Sequence, residues 1–179
     1  MLILASGSPR RKELLQKLTK DFTVIVPNVD EKIFPWTPDV AASESAKMKA
    51  YAVFASHPFD AVLSCDTVVL LEGNILGKPR DEEEAFAMLK AESGKMQKVL
   101  SAYCYLSGDI EICRTVMTRV YFNELSDELI RDYIQNKKPL DKAGAYGIQD
   151  GYPLVHHIEG SYDNVVGLPT EDIARHIKF

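Results

Sequence analysis

The sequence predicts a mixed α/β protein with a long, partly antiparallel sheet. Three observations carry this: an opening that alternates apolar strand-like runs with helical patterns, a central pair of long strand-like runs, and no Pro/Ser-rich linker to mark a domain cut. At 179 residues, 46% hydrophobic and 26% charged, the chain can bury a proper core in one domain spanning 1–179.

The first element is the apolar run Leu2 to Ala5, which breaks at Ser6-Gly7-Ser8-Pro9 where a helical pattern runs on to Leu18. Ser8 is a good N-cap and Pro9 suits the first helical position. Arg10 and Arg11 therefore fall in the first turn, where the free N–H groups and positive dipole end disfavour cations. An anion belongs there on one reading, since arginine forks match phosphate oxygens. The alternative is a pair of solvated arginines on a surface helix.

A strand over Phe22 to Val26 follows, then a loop from Pro27 to Pro38 and a helix from Asp39 to Ala55. Ala61 to Leu71 is strongly strand-like, turns at Gly73-Asn74, and leads through Lys78-Pro79 to a helix over Asp81 to Ala91. Met96 to Leu106 and Ile110 to Phe122 are rich in Val, Tyr, Thr and Ile and read as antiparallel strands around Ser107-Gly108-Asp109, followed by a helix over Ser126 to Gln135. In the tail, Gly144, Gly147, Gly151, Gly160 and Gly167 punctuate short strands before a last helix after Pro169.

Charge and cysteine usage narrow the function. A net charge of −5 argues against a broad electrostatic footprint for nucleic acid, so a phosphate ligand must be met by local positive charge and a small anion is favoured. No apolar run approaches the roughly twenty residues of a membrane helix, and no basic region precedes Met1-Leu2-Ile3-Leu4, so a cytoplasmic protein is expected. Cys65, Cys104 and Cys113 lack metal-ligand spacing and are too few for a disulfide framework. A two-residue turn at Gly108-Asp109 sets Cys104 opposite Cys113, and a reducing cytosol is expected to keep both as thiols. His57, His156, His157 and His176 have no metal or triad spacing.

Three segments carry chemistry. In Ser64-Cys65-Asp66-Thr67-Val68-Val69 one acid interrupts an apolar strand, and a buried carboxylate is costly unless paired, metal-bound or catalytic; a strand-end cap is the alternative. Lys78 before Pro79 is either exposed loop chemistry or a phosphate contact. Asp141-Lys142-Ala143-Gly144-Ala145-Tyr146-Gly147-Ile148-Gln149 packs a charge pair, two glycines and a terminal amide together, and glycines let a backbone approach a ligand closely.

Taken together these segments resemble the Maf family of nucleoside triphosphate pyrophosphatases, once described as septum-formation inhibitors. The resemblance rests on Leu4 to Leu15, on Cys65-Asp66-Thr67-Val68-Val69 with Cys65 where Ala is usual, on Gly77-Lys78-Pro79-Arg80, on Asp141 to Gln149, and on Gly160 to Pro169. It implies a long forked mixed sheet with flanking helices, an inosine-triphosphatase-like fold of two lobes around a cleft, and commonly a homodimer. It implies hydrolysis of a nucleoside triphosphate to monophosphate and pyrophosphate with a divalent cation, magnesium, manganese or cobalt. Asp66 takes the role of proton acceptor, with Arg11, Lys78 and Lys142 as phosphate ligands and Ser8 in the same cradle. Glu31 aligns with an acid of the cleft, and with Asp66 forms the metal-ligand set; Lys49 in Ala46-Lys47-Met48-Lys49-Ala50 aligns with a substrate-binding lysine. The alternatives are a loop-exposed Glu31 and a Lys49 on a solvated helix face.

Three positions carry subfamily information. The dTTP/UTP branch has Arg, Thr and Gln where the 7-methyl-GTP branch has Trp, Gln and Glu, and this chain has Arg10, Thr67 and Gln149. Gln149 both donates and accepts, which fits the O4 and N3–H edge of uracil or thymine. Asp150 stands where Gly usually follows, which leaves the loop's path and its base selectivity open. The competing functions are hydrolysis of a modified nucleotide such as 7-methyl-GTP and a non-catalytic nucleotide-binding regulator of septum formation; an acid beside a phosphate cradle argues against the latter.

Overall fold

The computed structural model describes residues 1–30 and 36–179. Its elements run β1 (Leu2–Ala5), α1 (Pro9–Leu15), β2 (Phe22–Val24), α2 (Ala41–Phe54), β3 (Ala61–Leu71), β4 (Asn74–Leu76), α3 (Glu82–Glu92), β5 (Met96–Ser107), β6 (Ile110–Phe122), α4 (Asp127–Lys137), β7 (Val155–Glu159), α5 (Tyr162–Val166) and α6 (Thr170–His176). Local signals explain most starts and stops. Ser8, Asp81, Ser126 and Ser161 each sit in extended backbone and accept the N–H three residues on, capping α1, α3, α4 and α5. The α1 helix stops at Leu15 instead of Leu18, because Lys17 and Leu18 donate to Leu14 and Leu15 and tighten the chain into a turn.

Seven strands form one mixed sheet in the order β2-β1-β3-β5-β6-β7, with β4 paired to β3. Strands β2, β1 and β3 are parallel, and every other pairing is antiparallel. The β5–β6 turn is the expected two-residue one, with Ser107 opposite Ile110 and Gly108 at φ 55°. The β3–β4 turn lies one residue earlier than expected: Leu71 pairs with Asn74, so Glu72 and Gly73 make the turn, both at positive φ. The tail holds one strand, β7, where several short ones were expected. Left-handed Gly144, Ala145 and Gly151 bend the chain into three 3-10 turns at Pro139–Asp141, Ala143–Ala145 and Ile148–Asp150.

The sheet forks. One edge of β3 pairs with β1 over Ala61 to Ser64 and with β4 over Val69 to Leu71, while β5 covers the other edge from Val62 to Leu70. Among the described residues, Cys65, Asp66, Thr67 and Val68 have no strand partner on the open edge. Three packed clusters support the fork. The Ala-rich face of α2 lies on one side of β1, β3 and β5; Leu14 and Leu15 of α1, Ile173 of α6 and Leu168 just before α6 cover the other; α3 and α4 close the far limb through Leu89, Ile130 and Tyr133.

Cys104 and Cys113 are register partners with Cα atoms 4.1 Å apart, and they are joined as a disulfide, which corrects the expectation of two thiols. Cys65 is the free, buried cysteine. No helix among the described residues is long and apolar enough to cross a membrane.

Asn164 pins α5 to the sheet. It is fully buried, and its Nδ2 donates to Val99 O at 3.3 Å, Val116 O at 3.1 Å and Thr118 Oγ1 at 2.9 Å. Asn164→Ala removes all three bonds and leaves a void under α5, so urea unfolding is expected to report a loss of about 2–4 kcal/mol, with near-normal stability as the contrary result.

Candidate active site

The residue at the fork is Asp66. Period-two alternation along β3 sends its side chain to the α2 face and Thr67 to the other. Lys49 leaves α2 to meet it, Nζ to Oδ1 at 3.0 Å, with the lysine itself only 7% exposed. That settles the choice between a solvated helix face and the interior in favour of the interior. Arg11 arrives from the first turn of α1. Its Nε donates to Gly167 O at 2.9 Å and Nη2 to Thr67 Oγ1 at 3.2 Å, and Nη2 stands 3.9 Å from Asp66 Oδ1. Thr67 Oγ1 also lies 2.7 Å from Ser101 Oγ, whose hydroxyl donates to Asn164 O at 3.0 Å. Both cations of Asp66 come closest at Oδ1.

The fork opens into a cleft of about 760 Å³, in the range of small-molecule sites. Ser8, Arg10, Arg11, Lys49, Asp66, Thr67, Lys78, Lys142 and Gln149 all line it, so residues from five separate stretches of sequence meet in one place. Glu31 lies outside the described residues; its neighbour Asp30 lines the cleft. The end beside Ser6–Arg11 is a recess of about 310 Å³ shared with Lys49, Lys78 and Asp141. Four of its lining side chains are cationic in a protein of net charge −5, so positive charge is concentrated locally. Because α1 has only seven residues, arginine and lysine side chains outweigh its backbone dipole there.

The cleft extends past the recess to apolar walls that include Val69, Val99 and Val165, and the amide of Gln149 also lines it. Asp141 bridges the mouth: Arg10 donates to its Oδ2 at 3.0 Å and Lys142 to its Oδ1 at 3.1 Å. Partial burial pushes the Asp141 carboxyl up, but these two hydrogen bonds outweigh it and hold the group below the ordinary range.

Tyr133 and Tyr146 stand behind this loop, and sequence reasoning assigned neither. Tyr146 donates to Gln97 Oε1 at 3.1 Å, and Gln97 Nε2 donates to Glu92 Oε1 at 3.0 Å. Burial raises the Glu92 carboxyl well above its usual range, more than the Gln97 hydrogen bond lowers it. Left-handed Gly144 is required here, since a Cβ would come within 2.7 Å of Glu92 Oε1. The one grouping of three metal-capable side chains among the described residues is Cys104, Glu111 and Cys113, on the β5–β6 hairpin and not in the cleft.

The sequence profile of the family described as Maf-like protein matches residues 1–178. The chain belongs to the Maf-like family. Similar proteins include the dTTP/UTP pyrophosphatases of Pyrococcus furiosus, 50% identical over 94% of this chain and 89% of the relative, and Thermococcus onnurineus, 48% identical over 96% and 93%. That of a Geobacillus species is 45% identical over 99% and 96%. Among solved structures, a nucleoside-triphosphatase (dITP/XTP pyrophosphatase) of Mycobacterium abscessus aligns over 98% of this chain and 93% of its own, with 14% identity and a TM-score of 0.49.

This Maf-like chain carries Cys65 directly beneath the fork, its Sγ donating to Gly167 O at 3.3 Å. Burial pushes the thiol from its ordinary value of 9.0 up to about 11, against the opposing pull of Arg11. Between those values the native state keeps a proton that the unfolded chain releases, so stability contributed by the neutral thiol is present below pH 9 and lost as pH rises toward 11. Cys65→Ala should therefore flatten the decline in unfolding free energy across this window by about 2–3 kcal/mol relative to the unchanged protein. Parallel pH curves for the two proteins would contradict this.

Proposed function

We propose that the chain hydrolyses nucleoside triphosphates, dTTP and UTP foremost, to nucleoside monophosphate and pyrophosphate, cleansing the nucleotide pool of the cytoplasm, and that residues 1–179 act as one catalytic domain in a homodimer. The observation that carries this reading is the fork itself: one carboxylate, held by Lys49 at 3.0 Å, faces a recess lined by Arg10, Arg11 and Lys78 and joined to an apolar compartment bearing an amide. Triphosphate, reacting centre and base each find a matching wall. The names of the relatives from Pyrococcus, Thermococcus and Geobacillus point to the same substrates.

Asp66 serves as general base. Its Oδ2 takes a proton from the attacking water as the new P–O bond forms; the α–β bridging P–O bond breaks and pyrophosphate leaves with that bond's electron pair. Lys49 fixes the carboxylate through Oδ1. Arg11, Lys78 and Lys142 neutralise phosphate oxygens, with Ser8 offering its hydroxyl and Arg10 its guanidinium once Asp141 yields. The cleft's donors fit a hard divalent ion: a carboxylate oxygen of Asp66, with no histidine or cysteine among the described lining residues. Asp66, with Glu31, would hold magnesium, manganese or cobalt, and that ion supplies charge neutralisation on the phosphates.

Arg10, Thr67 and Gln149 carry the selectivity. Thr67 keeps Arg11 in place through its hydroxyl, while Gln149 meets the pyrimidine edge with one donor and one acceptor. No aromatic side chain stands at the Arg10 position to stack on a cationic methylated purine, which disfavours 7-methyl-GTP.

Turnover over a nucleotide panel tests the reading. dTTP and UTP should be hydrolysed faster than ATP, GTP or 7-methyl-GTP, with pyrophosphate released, and chelator should abolish activity that magnesium, manganese or cobalt restores. Equal rates on all triphosphates, or full activity in excess chelator, would overturn it. Asp66→Asn should retain nucleotide binding by calorimetry and lower kcat by about 10²–10⁴-fold, and near-normal turnover would remove Asp66 from its role. Arg10→Trp, Thr67→Gln and Gln149→Glu combined should move preference toward 7-methyl-GTP, read as the ratio of kcat/KM values.

A further inference from the structure

Gln149 sits in a three-residue 3-10 turn, Ile148–Asp150, that ends at left-handed Gly151. Its own backbone bond is Asp150 N–H to Gly147 O at 3.1 Å, which is slender support for a side chain that must present a donor and an acceptor in the right order. The missing support comes from α4. Tyr133 is fully buried, and its hydroxyl is used twice: it accepts the Gly147 N–H at 2.8 Å and donates to Asp150 Oδ2 at 2.7 Å. The ring is fixed in turn, edge-on to Tyr152 with centroids 5.0 Å apart.

The turn also leaves no room for a side chain at Gly147: a Cβ there would come within 2.9 Å of both Lys142 Cε and Asp150 Oδ2, so the phosphate-side lysine and the Asp150 carboxylate both crowd this position. Asp150 thus points at α4 while its neighbour Gln149 lines the cleft. This answers what an acid does at that place in the loop. Its charge is spent on a tyrosine hydroxyl behind the wall.

We propose that Tyr133 and Asp150 form a latch that sets the angle of Gln149 toward the nucleobase, making both of them positioning residues for base discrimination. The inference rests on the proposed hydrolysis of nucleoside triphosphates in this cleft. A site that rejects the wrong base by unpaired hydrogen-bonding groups depends on rigid placement of those groups, so loosening the latch reduces discrimination and leaves phosphate binding intact.

The test uses Tyr133→Phe, which keeps the ring and removes both hydrogen bonds, with Asp150→Ala and the conservative Asp150→Asn, whose amide oxygen still accepts. Three quantities are read: the ratio of kcat/KM for dTTP over ATP, inhibition by tripolyphosphate, and hydrogen exchange of residues 147–150. For Tyr133→Phe and Asp150→Ala the ratio should fall by about tenfold, through KM for dTTP, with exchange faster by a similar factor. Tripolyphosphate inhibition should stay within about twofold of the unchanged protein, and Asp150→Asn should resemble that protein in all three.

An unaltered ratio in Tyr133→Phe overturns the latch. So does an equal loss for tripolyphosphate, which marks general collapse of the cleft, and so does an Asp150→Asn that behaves like Asp150→Ala, which marks a role for charge. If the unchanged protein hydrolyses no nucleoside triphosphate, the proposed function fails separately. The latch is then judged by exchange at Gly147 and by calorimetry, where Tyr133→Phe must weaken dTMP binding and spare tripolyphosphate; failure of either overturns it.

Discussion

Strand β3 changes partners half-way along one edge, from parallel β1 to antiparallel β4, and four residues between the two pairings are left with an open side. A strand edge without a ladder exposes backbone groups and is ordinarily a liability. Here the gap is filled by side chains: the Arg11 guanidinium reaches in from α1, and Lys49 descends from α2. Burying a carboxylate at that point costs several kcal/mol without partners, so Asp66, Lys49 and Arg11 depend on one another and on the fork that brings them together. The small residues of α2 matter for the same reason. Ala42, Ala46 and Ala50 let the helix lie close on the sheet, within reach of a lysine stem.

Charge in the molecule is distributed by compartment. The protein as a whole is acidic, yet the recess beside α1 gathers Arg10, Arg11, Lys49 and Lys78, and two of these already lean on acids, Arg10 on Asp141 and Lys49 on Asp66. Such pairing lessens the mutual repulsion of a dense cationic site, since part of its charge already has a resident counter-charge. Asp141 is 62% exposed, so its exchange for an incoming anion costs little, whereas the Asp66–Lys49 pair is largely shielded and stays.

The other wall of the cleft is built by different means. Residues 139–151 contain three 3-10 turns and almost no regular ladder, and such a segment is positioned by what stands behind it. Behind it are two buried hydrogen-bonding groups, Tyr133 at the turn of Gly147 and the Gln97–Glu92 pair, which takes the hydroxyl of Tyr146 from the segment itself. They come from α4, α3 and β5, which pack together in the far limb, so the loop of the cleft is anchored on that limb.

Much of this was legible in the residues themselves. Apolar runs rich in β-branched and aromatic residues marked β3, β5 and β6, Ser8 and Pro9 marked a helix start, and Gly108-Asp109 set the hairpin register, because each of these depends on sterics and hydrogen bonds within a few residues. The resemblance to the Maf family likewise implies the motif residues that line the cleft. The errors were also local: α1 ended a turn early, the β3–β4 turn shifted by one residue, and the glycines of the tail made 3-10 turns where strands were expected. Only the tertiary structure decided that Lys49 faces inward to Asp66, that Arg10 meets Asp141 131 residues away, that Cys104 and Cys113 are joined, and that Asp150 turns to Tyr133. Those contacts depend on the fork in β3 and on helices packed across it. Periodicity along a chain says which face of an element is buried; it does not say which side chain of a distant element will stand opposite.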